Sequence, residues 1–167
     1  MKFKSAFLPL LVLSLIIFAS TQSSSAVAPK TDNGASARGS GGFTNIGPNR
    51  PGVYEFSFEV FANKNGHAHG RAIFDNLSAQ THIEIKIDCL TLADSSNASI
   101  SGTILHSTDP ELPKGTNVLF GAVDDDLIFH DIITLAFPTP NGESSCGEFL
   151  FPLTLFPLAG DAIQIEP

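Results

Sequence analysis

Along VYEFSFEVF, residues 53–61, apolar and polar side chains alternate. Tyr54, Phe56, Phe58 and Val60 fall on one face, and Glu55, Ser57 and Glu59 fall on the other. That period is the signature of a strand buried on one side. Asn63, Lys64, Asn65 and Gly66 follow and predict a hairpin turn, because Asn and Gly accept the positive φ such turns require. HAHGRAIFDN, residues 67–76, then returns as the second strand, with Ala68, Gly70, Ala72 and Phe74 inward. After a loop over 77–81, THIEIKIDCLTL, residues 81–92, alternates again. There Ile83, Ile85, Ile87 and Cys89 are expected inward, and His82, Glu84, Lys86 and Asp88 outward.

A turn over Asp94, Ser95, Ser96 and Asn97 leads to a partner strand, ASISGTIL (98–105). Beyond the Pro- and Gly-bearing loop DPELPKG, the segments NVLFGAV (117–123), DIITLAF (131–137) and AIQI (162–165) complete the strand set. Nowhere do apolar residues recur at helical spacing over a capped window. Short strands separated by Gly, Asn, Asp and Pro turns predict an all-β fold, an antiparallel β-sandwich, with a small β-barrel as the alternative.

Residues 27–52, including GASARGSGGF and IGPNRPG, have too little apolar surface to order themselves. They are expected as a flexible Gly/Ser/Pro-rich lead-in whose end pairs as a short strand around Gly42 to Ile46. The stretch before them has a different character. Lys2 and Lys4 precede an apolar run from Ala6 to Ala19, and small polar residues follow. This is the pattern of a secretory signal peptide over residues 1–26, cleaved after Ala26 with Ser24 two positions before it. The run is shorter than the roughly 20 residues a membrane span needs, and Pro9 interrupts it. No cysteine lies near the cleavage zone to carry a lipid. The domain assignment is therefore residues 1–26 signal peptide, 27–52 lead-in and 53–167 a single β-domain, long enough to enclose a core.

Charge narrows the partners. Loss of Lys2 and Lys4 with the leader leaves 7 basic residues against 17 acidic ones, a formal charge of −10. Such a surface repels nucleic-acid phosphates and anionic lipid, and no basic cluster reverses it. The late apolar segment FLFPLTLFPLAG (149–160) is broken by Pro152 and Pro157 and reads as core-facing strand or loop, so no membrane span is expected in the mature chain. Cys89 and Cys146 are the only cysteines, and in an exported chain the simplest expectation is one disulfide between them. Unlinked buried thiols are the alternative.

The landmarks then form an order. A GG-F opening (Gly41, Gly42, Phe43), F-S-F on the first long strand and G-x-x-x-G (Gly66, Gly70) lead to I-D-C-L and N-A-S-I-S-G. F-x-x-x-D (Phe120, Asp124), a later Asp131 and a closing AGDAIQI follow. This layout resembles a family of small exported bacterial all-β domains of unknown function, found alone or appended to larger secreted proteins. The resemblance covers most of residues 41–166. It departs between the two aspartates, where the family carries a Gly-rich turn and this chain reads D-D-D-L-I-F-H-D. It implies an antiparallel β fold and an extracytoplasmic setting, and no particular activity.

Three constellations are candidates for chemistry. His67 and His69 share one strand face, about 6–7 Å apart, and could hold a metal with Asp75 or a neighbouring strand as further ligand. Arg71 continues on that face and opposes a cation, so the plainer reading is a polar strand face. In VDDDLIFHD, Asp124, Asp125, Asp126 and Asp131 form the densest acidic cluster and the candidate calcium site. Calcium takes about 6–8 oxygen ligands, but the D-x-D-x-D-G loop is missing and an Asp-rich solvated turn has the same composition. Glu55 and Glu59 could pair as hydrolase carboxylates, although any strand showing its solvent side has that spacing. No G-x-S-x-G elbow is present, and neither cysteine has a histidine close in sequence.

The chain has no Trp and one Tyr, which argues against sugar-stacking platforms. Asn76-Leu77-Ser78 and Asn97-Ala98-Ser99 fit the glycosylation sequon, which matters only on a eukaryotic secretory route. The reading that results is a secreted or periplasmic, non-enzymatic interaction or structural module without a cofactor. It would meet an extracellular protein or glycan. The rivals are a calcium-dependent extracellular ligand-binding domain and a small secreted hydrolase.

Overall fold

Ten antiparallel strands carry the alternation seen in the sequence, and no helix accompanies them among the described residues of this computed structural model. Those residues are 34–63, 67–125, 130–139, 155–158 and 162–167, all within the unit Thr31–Pro167. The expected signal peptide lies outside them, as do Asp126 and Cys146. The strands are β1 (Ser36–Asn45), β2 (Gly52–Ala62), β3 (Ala68–Asn76), β4 (Thr81–Leu92) and β5 (Asn97–Ser107). β6 (Asn117–Val123), β7 (Ile132–Thr134), β8 (Phe137–Pro138), β9 (Leu155–Pro157) and β10 (Ile163–Glu166) follow.

All ten belong to one sheet in the order β10-β1-β2-β3-β4-β5-β6-β7-β9, with β8 pairing β6 off that path. The sheet curls strongly into a half-barrel. The expected division into two packed sheets is not present among the described strands. One cause lies in β4 and β5, whose register shifts between Glu84 and Ile85 and again between Ile87 and Cys89. Each shift inserts a residue that bends its strand and increases the local twist. Glycine supplies a second cause. A Cβ on Gly70 would run into the Glu59 carbonyl on β2, and one on Gly102 into the Lys86 carbonyl on β4. Only glycine lets the backbones approach that closely at a bend.

The concave side is filled with aromatic rings. Tyr54, Phe56 and Phe58 of β2, Phe74 of β3 and Phe120 of β6 are all buried there with Ile83, Ile85, Ile87 and Ile100. Phe74 meets Phe120 edge-on at 5.3 Å, Phe58 meets Phe120 at 5.6 Å, and Phe43 stacks on Phe156 at 4.6 Å. These separations suit favourable aromatic pairs, and each buried ring adds roughly 1.5–3 kcal/mol from desolvation. The last contact is long-range in the sheet. Phe43 is on β1 and Phe156 on β9, near opposite ends of the strand order.

Three local expectations need correction. The first concerns residues 27–52, where a full strand, β1, runs over Ser36–Asn45 and pairs with β2 along its whole length. Its inward row is Ala37, Gly39, Gly41 and Phe43, too small to show as an apolar pattern. The small size has a purpose: a Cβ on Gly39 would lie 2.7 Å from the Phe58 ring. The second concerns Cys89. The register shift after Ile87 passes the inward row to Leu90 and Leu92, which pair with Ile100 and Ala98. Cys89 instead pairs with Ser101 on the opposite face and is still buried.

The third is DIITLAF, which is two short strands rather than one. β7 pairs with the end of β6 and β8 with its beginning. In the late apolar segment, Phe156 and Leu158 are buried while Leu155 is exposed. No helix of the described residues is long and apolar enough to cross a membrane.

Candidate functional site

The acidic segment links β10, at one end of the curled sheet, to the chain between β6 and β7. β10 pairs with β1 along one edge, so its other edge presents the N–H groups of Ile163 and Ile165. No strand completes that edge among the described residues; carboxylates do. The Ile163 N–H donates to Asp131 Oδ2 at 2.6 Å, and the Ile165 N–H donates to Asp124 Oδ2 at 2.9 Å. Asp131 Oδ1 accepts the Asp125 N–H at 3.2 Å, and the Leu158 N–H donates to the Asp131 carbonyl at 2.7 Å. Asp131 is 3% exposed. A buried carboxylate with both oxygens accepting backbone N–H groups substitutes for a missing strand, and such charge-assisted bonds are about twice as strong as neutral ones.

Asp124, Asp125 and Asp131 are thus brought together, as the calcium reading requires. The oxygens of Asp131 that a calcium ion would need already serve β10 and Asp125.

A second polar assembly caps the end of the half-barrel where β1 runs into β2. Arg50 there has φ of 48°, a left-handed conformation unusual for a side-chain-bearing residue. Its carbonyl accepts from Tyr54 Oη at 2.7 Å and from Asn45 Nδ2 at 3.0 Å. Its guanidinium donates to the Ala136 carbonyl, lies 3.8 Å from Asp109 Oδ2 and covers the Phe137 ring at 5.6 Å. Asn76 Nδ2 donates to Tyr54 Oη at 2.9 Å, while its Oδ1 accepts the N–H groups of Ser78 and Ala79. Burial pushes the Tyr54 phenol above its ordinary pKa, opposed by the Arg50 charge and the Asn76 hydrogen bond. Asn76 belongs to the first sequon yet is buried in this network, which leaves its amide no room for a glycan. The network holds loops together and leaves its polar atoms engaged with one another.

The histidines divide differently from the sequence grouping. His67 precedes β3, and its N–H donates to Asn63 Oδ1. His69 is exposed on β3 opposite Phe61, 5.8 Å between rings. Asp75 lies six residues further on, about 20 Å along an extended strand, and cannot join that pair. It is opposite His82 instead, with Asp75 Oδ1 and His82 Nδ1 2.7 Å apart. The His82 ring in turn lies 5.8 Å from that of His106 on β5. Glu84, opposite His106, pairs with Arg71 at 3.0 Å.

These five side chains make a titratable cluster on the outer face of β3, β4 and β5. Sequence reasoning placed His82 outward but did not connect it to His106, 24 positions away across a bulge. Among the described residues, no three His, Cys, Asp or Glu side chains converge as a ready metal site.

Glu55 and Glu59 are exposed on the outer face of β2, opposite Asp75 and Arg71 of β3. In the turn after β4, Asp94 accepts from the Ser96 N–H and from Asn97 Nδ2, which hold its carboxyl below the usual range. Comparison with protein-family models, curated proteins and solved structures finds no match for this chain.

Proposed function

We propose that the chain is an exported, non-enzymatic interaction or structural module that works in the periplasm or outside the cell. The observation that supports this most is the filled interior. Rings from β1, β2, β3, β6 and β9 occupy the concave side that a ligand-binding barrel leaves open, so recognition falls to the outer surface and the rims. In this reading the fold is a partly closed barrel with a carboxylate seam rather than a sandwich. The leader pattern over 1–26 and the Cys89–Cys146 pair fit an oxidising compartment. So does the resemblance to small exported β-domains.

The rim where β1 ends and β2 begins carries exposed Ile46, 94% accessible, with Val53 and Leu77 also exposed. The Leu77 N–H donates to the Val53 carbonyl, so these two side chains belong to one patch. Apolar side chains on an acidic molecule suit a protein partner with a basic, apolar surface. A glycan is less suited, since the chain has no Trp and its one Tyr is buried.

A photo-crosslinker at position 46, with a control at the outward Lys86, tests this in the organism that makes the protein. The expected result is a discrete protein adduct at position 46 alone, on a molecule whose N-terminus begins after residue 26. Equal labelling at both positions, or retention of the leader in the cytosol, would overturn it.

A further inference from the structure

Beyond that reading, the outer face carries a site of its own. We infer that His82 and His106 form a two-imidazole site for a borderline divalent cation of the zinc, nickel or copper class, with Asp75 as the residue that positions His82.

The geometry begins with the backbone. Glu84 is opposite His106, but Ile85 is opposite Ile104, so Leu105 is the extra residue of a bulge in β5. Leu105 is exposed, and the bulge turns His106 to the same outer face as His82. Bulges commonly re-aim a side chain in this way. On the neighbouring strand, His82 is fixed at both ends of its residue. Its N–H donates to Thr108 Oγ1 at 2.8 Å, its carbonyl accepts the Thr108 N–H at 2.9 Å, and its Nδ1 is held by Asp75.

With Nδ1–H donating to the carboxylate, Nε2 keeps its lone pair free for a metal. This is the carboxylate–histidine arrangement that fixes the tautomer and orientation of metal-bound imidazoles. Two imidazoles on one tetrahedral zinc, at a Zn–N distance of about 2.0–2.1 Å, have ring centres roughly 5 Å apart. The observed 5.8 Å is within a small side-chain rotation of that value.

The surroundings favour a cation. Asp75 and Glu84 both border the pair, and Arg71, paired with Glu84 at 3.0 Å, offsets only one of the two carboxylates, so a net negative charge is left. The His82 side chain is 38% accessible, which leaves room for water to fill the remaining coordination positions. Imidazole pairs suit zinc, nickel and copper and discriminate against calcium and magnesium, which want oxygen ligands. The site is therefore distinct in chemistry from the acidic seam. It is also distinct from His67 and His69, whose expected partner Asp75 belongs to it.

Isothermal titration of the purified protein with zinc chloride at neutral pH tests the site. One zinc per chain is expected, with the uptake lost in His82→Gln and in His106→Gln. Asp75→Asn should weaken it roughly 10-fold, the usual effect of removing such a positioning group. The double variant His67→Gln/His69→Gln should bind zinc as the parent does. Failure of the parent to take up zinc, survival of uptake in His106→Gln, or its loss in the His67/His69 variant would each overturn the assignment. Both substituted histidines are on the outer face, and an unchanged far-ultraviolet circular dichroism spectrum confirms that the variants fold.

Discussion

The Ile163 backbone N–H donates to the Asp131 carboxylate at 2.6 Å, across 32 residues of chain. This bond, with its neighbour from Ile165 to Asp124, ties the last strand to the segment between β6 and β7. A curled sheet that does not close by strand pairing leaves unpaired edges, which are both costly when buried and prone to misassociation. Here a pair of aspartates satisfies the edge.

Asp131→Ala is expected to cost about 2–4 kcal/mol, because it removes a charged acceptor and strands a buried N–H. Asp131→Asn keeps one acceptor and should lose less. Urea denaturation checks both. A loss below about 0.5 kcal/mol for the alanine variant, the range of an ordinary surface change, would mean the seam holds without it.

Calcium should leave the thermal midpoint of the protein unchanged, because both Asp131 oxygens accept backbone N–H groups in the folded chain. Differential scanning calorimetry with millimolar calcium and with chelator makes the comparison. A midpoint that rises with calcium and ceases to rise in Asp124→Asn would restore the acidic segment as an ion site.

Tyr54 makes stability fall at alkaline pH. Its folded pKa is raised above the ordinary 10.0, so the folded state holds the phenol proton more tightly than the unfolded state does. The contribution is fully present below about pH 10 and is lost as pH rises through the raised value. In Tyr54→Phe that part of the alkaline loss should vanish. The same variant should cost about 1–2 kcal/mol at neutral pH, since the Arg50 carbonyl and the Asn76 amide lose a partner. Unfolding curves at pH 7, 9 and 11 for both proteins separate the two effects, and parallel pH profiles would refute the first.

Gly70→Ala should destabilise by about 1–3 kcal/mol, the usual penalty for overpacking. The added methyl would meet the Glu59 carbonyl and Val60 Cα, which are backbone atoms and yield little. Thermal melts of this variant beside Ala68→Gly, on the same inward row, give the measure. A neutral result would show that the strands can part there without harm.

Reduction of the purified protein should lower its stability by up to about 4–5 kcal/mol if the chain-entropy account holds for a Cys89–Cys146 loop of this length. Mass spectrometry before and after alkylation reads the bond directly. Two free thiols in the freshly isolated protein would remove the disulfide from the account.

Much of the strand layout was legible because a half-buried ribbon must alternate; β2, β3 and most of β4 keep apolar or small residues on their inward rows, with Val53, Phe61 and Ile73 as apolar residues on the outward rows of β2 and β3. VYEFSFEVF needed only its own period to declare which rings point inward. Only the end of β1, from Gly42 on, was legible; the rest was not, since its inward row includes Gly39 and Gly41, whose small size answers the Phe58 and Phe56 rings of another strand. Cys89 was assigned to the wrong face for a related reason: a bulge is a relation between two strands, and no period within one strand announces it.

The same holds for chemistry. Neighbouring histidines invited a shared metal, yet the pair that meets is His82 and His106, joined through register. The adjacent aspartates suggested an ion, yet Asp124 and Asp131 reach for the backbone of β10, far along the chain. Local alternation determined that this protein is made of strands. Which strands adjoin, how sharply the sheet bends and which polar groups end up facing one another were decided by packing, because side-chain size and hydrogen-bond demand are satisfied only between segments distant in sequence.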